Sequence, residues 1–243
     1  MDILTVAIQK GGTGKTTTAA VLAQAAAHTG KKVLAIDLDP QGNLSFAAGA
    51  DTSRGGNSYE LLQGVAAKDV IQPLEQGFDI IPASWNLQTE TTSKGSATRL
   101  KAAIQPIKNK YDLIIIDTPP TAGELQYNAL FAATGLIIPL EAEIFSLKSL
   151  YQITEMAKQI KQSNKQLTIK GFVITKLDSR STIAKQMQEN IIVAANKSKI
   201  PYLGSIRTGV AVKEAAALQK NLYDYAPKSN PAKDYLTLLE QLI

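Results

Sequence analysis

The nine residues Gln9-Lys10-Gly11-Gly12-Thr13-Gly14-Lys15-Thr16-Thr17 constrain this chain more than any other stretch. They follow a short β-rich run, Leu4-Thr5-Val6-Ala7-Ile8. They open an Ala- and Leu-rich segment, Thr16 to Ala27, which has helical spacing and ends near Gly30. A glycine-rich turn from a strand into a helix lets backbone N–H groups and the helix N-terminus point at anionic oxygens. Gly11, Gly12, Thr13 and Gly14 form the cradle, and Lys15 is placed to reach β- and γ-phosphates. The Thr16 hydroxyl suits a magnesium ion and Thr17 the α-phosphate. A plain turn before a helix accounts for the glycines, but not for Gly-Lys-Thr at the helix start.

The rest of the chain repeats the alternation of strand and helix. Lys32 to Ile36, Phe78 to Ile81, Leu113 to Ile116, Leu136 to Pro139 and Ile169 to Ile174 read as strands. Ala97 to Lys108, Ser146 to Lys161, Ile183 to Ala195 and Ala232 to Leu242 read as helices. The strands at 113–116 and 136–139 are apolar on both faces, the habit of parallel strands covered by helices. The pattern predicts one doubly wound α/β domain over 1–243, with a mostly parallel sheet and helices on both faces. Residues 51–77 show little periodicity and read as loops with short helices.

Two further strings stand at strand ends. Ile36-Asp37-Leu38-Asp39-Pro40-Gln41-Gly42-Asn43 places two carboxylates at i and i+2, on the same side of the chain. Such a pair can orient a water, hold magnesium or do both; an acidic turn capped by Pro-Gln-Gly is the bland alternative. Leu113-Ile114-Ile115-Ile116-Asp117-Thr118-Pro119-Pro120 is an apolar strand ending in Asp, an arrangement in which Asp117 takes the metal through a water.

The glycine loop departs from the usual spacing G-x-x-x-x-G-K-[ST]: Gln9 stands where the first glycine is expected, and Lys10 is an added lysine. Lys-Gly-Gly-Thr-Gly-Lys-Thr closely resembles the deviant Walker A loop of the ParA/MinD family of P-loop ATPases. Asp-Leu-Asp-Pro-Gln and Asp-Thr-Pro-Pro resemble that family's other two loops, and the likeness covers most of the chain. The resemblance implies Mg2+-dependent ATP hydrolysis in a nucleotide-sandwich homodimer. Lys10 is then the lysine that reaches the partner subunit's phosphates, as an arginine finger does. Asp39 positions the attacking water, Asp37 supports the magnesium shell, and Lys15 acts on the transferring group. Thr175 lies where the family's base-binding strip begins.

The family has a ParA branch, which binds non-specific DNA and moves plasmid or chromosome cargo with a ParB-like centromere-binding protein. It also has a MinD branch, which binds membrane through a C-terminal amphipathic helix. Residues 1–169 carry 15 basic and 15 acidic side chains, and residues 170–243 carry 11 and 6, so the whole net charge of +5 lies in the last third. A Lys-rich solvated face and a polyanion patch both fit that surplus. Thr175-Lys176-Leu177-Asp178-Ser179-Arg180-Ser181 resembles the ParA segment that ends in a DNA-contacting arginine, here Arg180. A second such position falls on Ala211, where Arg207 and Lys213 stand as substitutes and Lys185, Lys220 and Lys233 add charge. The C-terminal stretch from Asp234 to Ile243 has two acids and no base, against the basic face of a membrane-surface helix.

The ParA branch is therefore the expectation, with a MinD-like positioning ATPase at a membrane or another assembly as the alternative. A cytoplasmic, nucleoid-associated protein follows from the resemblance. The first strand begins by about Ile3, so no DNA-reading helix-turn-helix is expected ahead of it. With no Cys, disulfides, Cys-held zinc and iron–sulfur clusters are excluded, as are the iron-protein reductases that share the loop. No run approaches the ~18 consecutive apolar residues of a membrane span.

Overall fold

The computed structural model describes residues 1–89 and 96–243. Its strands are β1 Asp2–Val6, β2 Val33–Asp37, β3 Gln72–Pro73, β4 Asp79–Ile81, β5 Leu113–Asp117, β6 Gly135–Glu141, β7 Thr168–Leu177 and β8 Tyr202–Arg207. The helices are α1 Lys15–His28, α2 Asn43–Ala48, α3 Ser58–Leu62, α4 Ala67–Val70, α5 Arg99–Ile104, α6 Glu124–Ala132, α7 Ser146–Lys161, α8 Thr182–Lys197, α9 Val210–Ala217, α10 Leu222–Tyr225 and α11 Asn230–Leu242.

One sheet holds all eight strands in the order β3-β4-β2-β5-β1-β6-β7-β8. Among the described residues, only the β3–β4 pair is antiparallel. Alternation along each strand separates the two faces. Leu4 and Val6, Val33 and Ala35, Leu113 and Ile115, Ile137 and Val173 point to a layer built from α1, α9, α10 and α11. Leu34, Ile36, Ile114 and Ile116 face α3 to α6 on the other side. Leu136, Ile138, Phe172 and Ile174 face α7 and α8. The sheet is therefore doubly wound, as expected, and apolar on both faces.

The C-terminal helix is amphipathic and inward-facing: Tyr235, Leu238, Leu239 and Leu242 are buried. The Tyr235 hydroxyl lies 3.3 Å from that of Thr18 on α1. No helix among the described residues is long and apolar enough to cross a membrane.

Several boundaries differ from expectation. The helix predicted over 97–108 is a 3-10 turn at Ser96–Thr98, then α5, then a second 3-10 turn at Lys108–Lys110. Pro106 lacks an N–H and its ring clashes with the preceding turn, so the helix stops before it. Residues 51–77 do hold loops and two short helices, together with β3. β8 was not predicted: Tyr-Leu-Gly-Ser-Ile-Arg buries only Leu203 and Ile206, a weak alternation.

Strand order reverses around β1, which lies between β5 and β6. In an open α/β sheet that switch point, at the carboxyl ends of the strands, is where a ligand crevice forms.

Candidate functional site

The glycine-rich loop leaves β1 at this switch point. Gly12 and Gly14 are in the left-handed region, with φ of +78° and +82°, where only glycine sits without strain. Gly14 is the N-cap of α1, and no side chain caps the helix. The first turn also carries no acidic residue. Its N–H groups and the positive end of its dipole are thus left for an anion.

Lys15 is buried, and its ammonium donates to the Lys10 carbonyl at 2.9 Å. Burial lowers its pKa, while the carboxylates of Asp117 and Asp39 pull the other way. Asp117, at the end of β5, is fully buried. Its Oδ1 accepts the Thr118 N–H, and its Oδ2 has no hydrogen-bond partner among the described residues. Burial first, then the neighbouring Asp37 carboxylate, holds the Asp117 carboxyl well above the usual range, and the Thr16 hydroxyl opposes this. An unpartnered buried carboxylate oxygen beside a threonine hydroxyl is costly unless a cation completes it. The donor set suits Mg2+, which takes one or two carboxylates and fills its remaining positions with phosphate and water.

Asp37 and Asp39 have distinct positions. Asp37 is fully buried and organises the turn: Oδ1 accepts the Asp39 N–H at 3.0 Å, and Oδ2 accepts both the backbone N–H and the hydroxyl of Ser45. Burial raises its pKa to about 6, against those hydrogen bonds. Asp39 is held by this turn at the wall of the cleft, where its Oδ1 accepts the Gln41 N–H.

The cleft has a volume of about 620 Å³ and is bordered by Gly11, Gly12, Gly14, Lys15, Thr16, Thr17 and Asp39. A smaller cavity of about 200 Å³ opens beside it, between the loop and the ends of β7 and β8, and includes Thr17, Thr175, Ile206, Thr208 and Val212. Thr175 lines this cavity but is only 3% exposed. Its hydroxyl lies 2.8 Å from the Thr13 carbonyl and 3.1 Å from that of Leu140. Its one proton goes to the nearer, so Thr175 braces the loop from beneath.

A family model described as an AAA domain matches residues 1–169. The chromosome-partitioning ATPase Soj of Thermus thermophilus is 34% identical over 242 residues, spanning 99% of this chain and 94% of its own. The chain belongs to the ParA/Soj family of partition ATPases. Among solved structures, an ATP complex of a Cyanothece McdA variant superposes with a TM-score of 0.87 at 27% identity, covering 100% of this chain and 96% of its own. The MinD protein of Pyrococcus horikoshii with Mg-ADP gives 0.81 at 26%, covering 99% and 95%.

Within this ParA/Soj chain the three expected DNA residues are placed very differently. Arg180, in the turn between β7 and α8, has a side chain 91% exposed, and its Nε lies 3.2 Å from Asp178 Oδ1. Lys213 is exposed on α9 and borders the smaller cavity. Arg207 is ion-paired: its guanidinium forks onto Asp234 of α11, with Nη2 2.6 Å from Oδ1 and Nε 3.0 Å from Oδ2. That carboxylate offsets its charge within the chain, while the Arg207 side chain stays 39% exposed.

Two carboxylates of the β6 exit were not anticipated. Glu143 pairs with Lys10 at 2.5 Å, and Glu141 pairs with Lys176 at 2.7 Å. The bond from Lys10 holds the Glu143 carboxyl below the usual carboxylate range. Nothing in the local pattern announces these pairs, because their partners lie 133 and 35 residues away.

Proposed function

We propose that the cleft binds and hydrolyses ATP with Mg2+ in a homodimer that assembles on ATP, and that the dimer binds non-specific DNA. In this reading it partitions plasmid or chromosomal DNA with a ParB-like centromere-binding protein, as a cytoplasmic, nucleoid-associated ATPase. The observation that carries the reading is a cleft that joins Lys15, Thr16, Asp39 and an uncapped helix N-terminus, with the buried Asp117 carboxylate acting on the Thr16 hydroxyl and the Lys15 ammonium from behind that wall.

The phosphates would sit on the N–H groups of Gly11 to Thr17, with the Lys15 ammonium against them. The Thr16 hydroxyl and Asp117 would hold Mg2+, which would supply charge neutralisation for the phosphates. Asp39 is at the right wall to orient a water, and Asp37 holds Asp39 there through the turn. Catalysis is positioning and charge stabilisation, with no covalent work by the protein. The cavity bordered by Thr175, Ile206 and Val212 is of a size for the base.

Lys10 immediately precedes the cleft residue Gly11, and its side chain is 26% exposed, where a second copy can take its ammonium. Arg180 and Lys213 leave the same end of the sheet and supply the DNA-facing charge. The apolar face of α11 is buried on α1 and β8, so it is not presented to a membrane, which favours DNA over the MinD-like alternative.

Analytical sedimentation with ADP, ATP and a slowly hydrolysed ATP analogue, with and without duplex DNA, tests this. Dimers with the analogue that co-sediment with DNA are expected. Persistent monomers at saturating analogue would refute the dimer, and dimers indifferent to DNA would refute the surface it works on.

A further inference from the structure

β7 pairs irregularly with β8: from Phe172–Tyr202 to Ile174–Ser205 the extra residue lies in β8, and the next step returns the register. Its pairing with β8 runs Ile174 to Ser205 and then Leu177 to Arg207, so it carries one extra residue between these points. Lys176, in this bulge, has φ +53°, the left-handed region that a residue with a Cβ enters at a cost. Bulges of this kind re-aim a side chain, and strain kept beside a site points to a use.

The bulge aims Lys176 at the glycine-rich loop. Its ammonium donates to the Gly12 carbonyl and is steadied from the other side by Glu141 at 2.7 Å. The preceding residue, Thr175, donates its hydroxyl to the next carbonyl along the loop, that of Thr13. Two consecutive loop carbonyls are therefore tied to two consecutive residues of β7.

In a trans peptide the N–H points opposite to the C=O of the same unit. Holding the Gly12 and Thr13 carbonyls toward β7 turns the N–H groups of Thr13 and Gly14 away from it. Successive N–H groups converging on one side form a nest for an anion. Without the two ties, each peptide can rotate about the flanking glycine dihedrals, because Gly12 and Gly14 impose little restraint.

We propose that Lys176 is a positioning residue of the nucleotide site. Through the Gly12 carbonyl it fixes the peptide planes of the loop, so that the N–H groups of Thr13 and Gly14 stand ready for the phosphates. The inference rests on the nucleotide reading of the cleft. It concerns the free protein as much as the complex, since the ties need no ligand.

The test compares wild type, Lys176→Met and Thr175→Val by calorimetric titration with Mg-ADP and Mg-ATP, and by the Thr13 and Gly14 amide resonances of the ligand-free proteins. Lys176→Met should weaken both nucleotides alike, by about tenfold, and Thr175→Val by a few-fold. Both variants should shift the Thr13 or Gly14 amide before any ligand is added, which a side chain that only packs or only touches phosphate would not do. Wild-type affinity in Lys176→Met overturns the inference. So does a loss in Lys176→Met with unmoved amides and a wild-type Thr175→Val, because that marks direct contact with the ligand. A wild type that binds neither nucleotide sinks the reading of the cleft itself, a result distinct from either of these.

Discussion

Arg207 at the end of β8 and Asp234 on α11 are joined by a forked ion pair, with the Arg207 backbone N–H adding a further bond to the same carboxylate at 2.9 Å. The planar fork matches the carboxylate and fixes α11 against the sheet edge. Arg207→Ala should therefore lower the melting temperature by a few degrees, while leaving DNA affinity within about twofold. Arg180→Ala should do the reverse: unchanged melting, weaker DNA binding, and a salt slope shallower by about one unit. Asp234→Asn, which leaves the Arg207 charge uncompensated, should strengthen DNA binding at low salt. Thermal melts and DNA titrations over a salt series check all three; a large DNA defect in Arg207→Ala with normal melting would put it on the contact surface.

Asp39 borders the cleft without belonging to the phosphate cradle. Asp39→Ala should keep nucleotide binding and dimerisation and lose at least about a hundredfold in turnover, the scale of a lost water-positioning group. Phosphate-release kinetics beside nucleotide affinity read the two effects separately. Normal turnover would remove Asp39 from the mechanism.

Asp117 gives the site a pH dependence with a definite sign. Its pKa is raised by burial and by Asp37, so the folded protein keeps a proton there at a pH where an ordinary carboxyl has lost it. A metal must displace that proton, so Mg2+ affinity should fall as pH falls, by up to about tenfold per unit once below the raised pKa. The decline should begin above the ~3.9 of an exposed Asp. Titrating nucleotide with and without Mg2+ at a series of pH values measures it. In Asp117→Asn the Mg2+-dependent part, and its slope, should vanish.

Lys10 is held in its own subunit by Glu143 at 2.5 Å. The pair is partly exposed, so it is weak enough to exchange for another anion. Lys10→Ala should leave monomer affinity for ADP within about twofold while cutting ATP-dependent dimerisation and turnover by tenfold or more. An equal loss in ADP affinity would confine Lys10 to its own subunit.

Gly171 in β7 is a stability test away from the site. At its φ of +146°, an added Cβ would lie 2.4 Å from the Pro201 carbonyl oxygen. Backbone cannot yield as a side-chain tip does, so Gly171→Ala should cost about 3 kcal/mol or more. Urea unfolding midpoints give the figure.

Much of this protein was legible in one dimension. The phosphate loop, the Asp37–Asp39 turn and Asp117 each sit at the end of a mostly apolar strand, and the chemistry is carried by neighbours in the chain. A strand, a glycine turn and a helix start are local objects, specified by dihedral preference and hydrophobic period. The parallel, doubly covered sheet followed for the same reason, because Ile114 and Ile115 must both be buried although they point to opposite faces.

The tertiary structure alone decided which charges are free. Arg180, Arg207, Lys10 and Lys176 are equivalent as letters in a basic stretch or loop. Folding brings a carboxylate to each from another part of the chain or, for Arg180, only from two residues away. Asp234 offsets Arg207, Glu143 stores Lys10, Glu141 steadies Lys176, and Arg180 stays almost wholly in solvent. Coulomb energy depends on distance in space and on the water between the charges, and neither is a property of sequence separation. The bulge that turns Lys176 onto the Gly12 carbonyl is invisible for a similar reason: a one-residue excess exists only relative to the strand it is paired with.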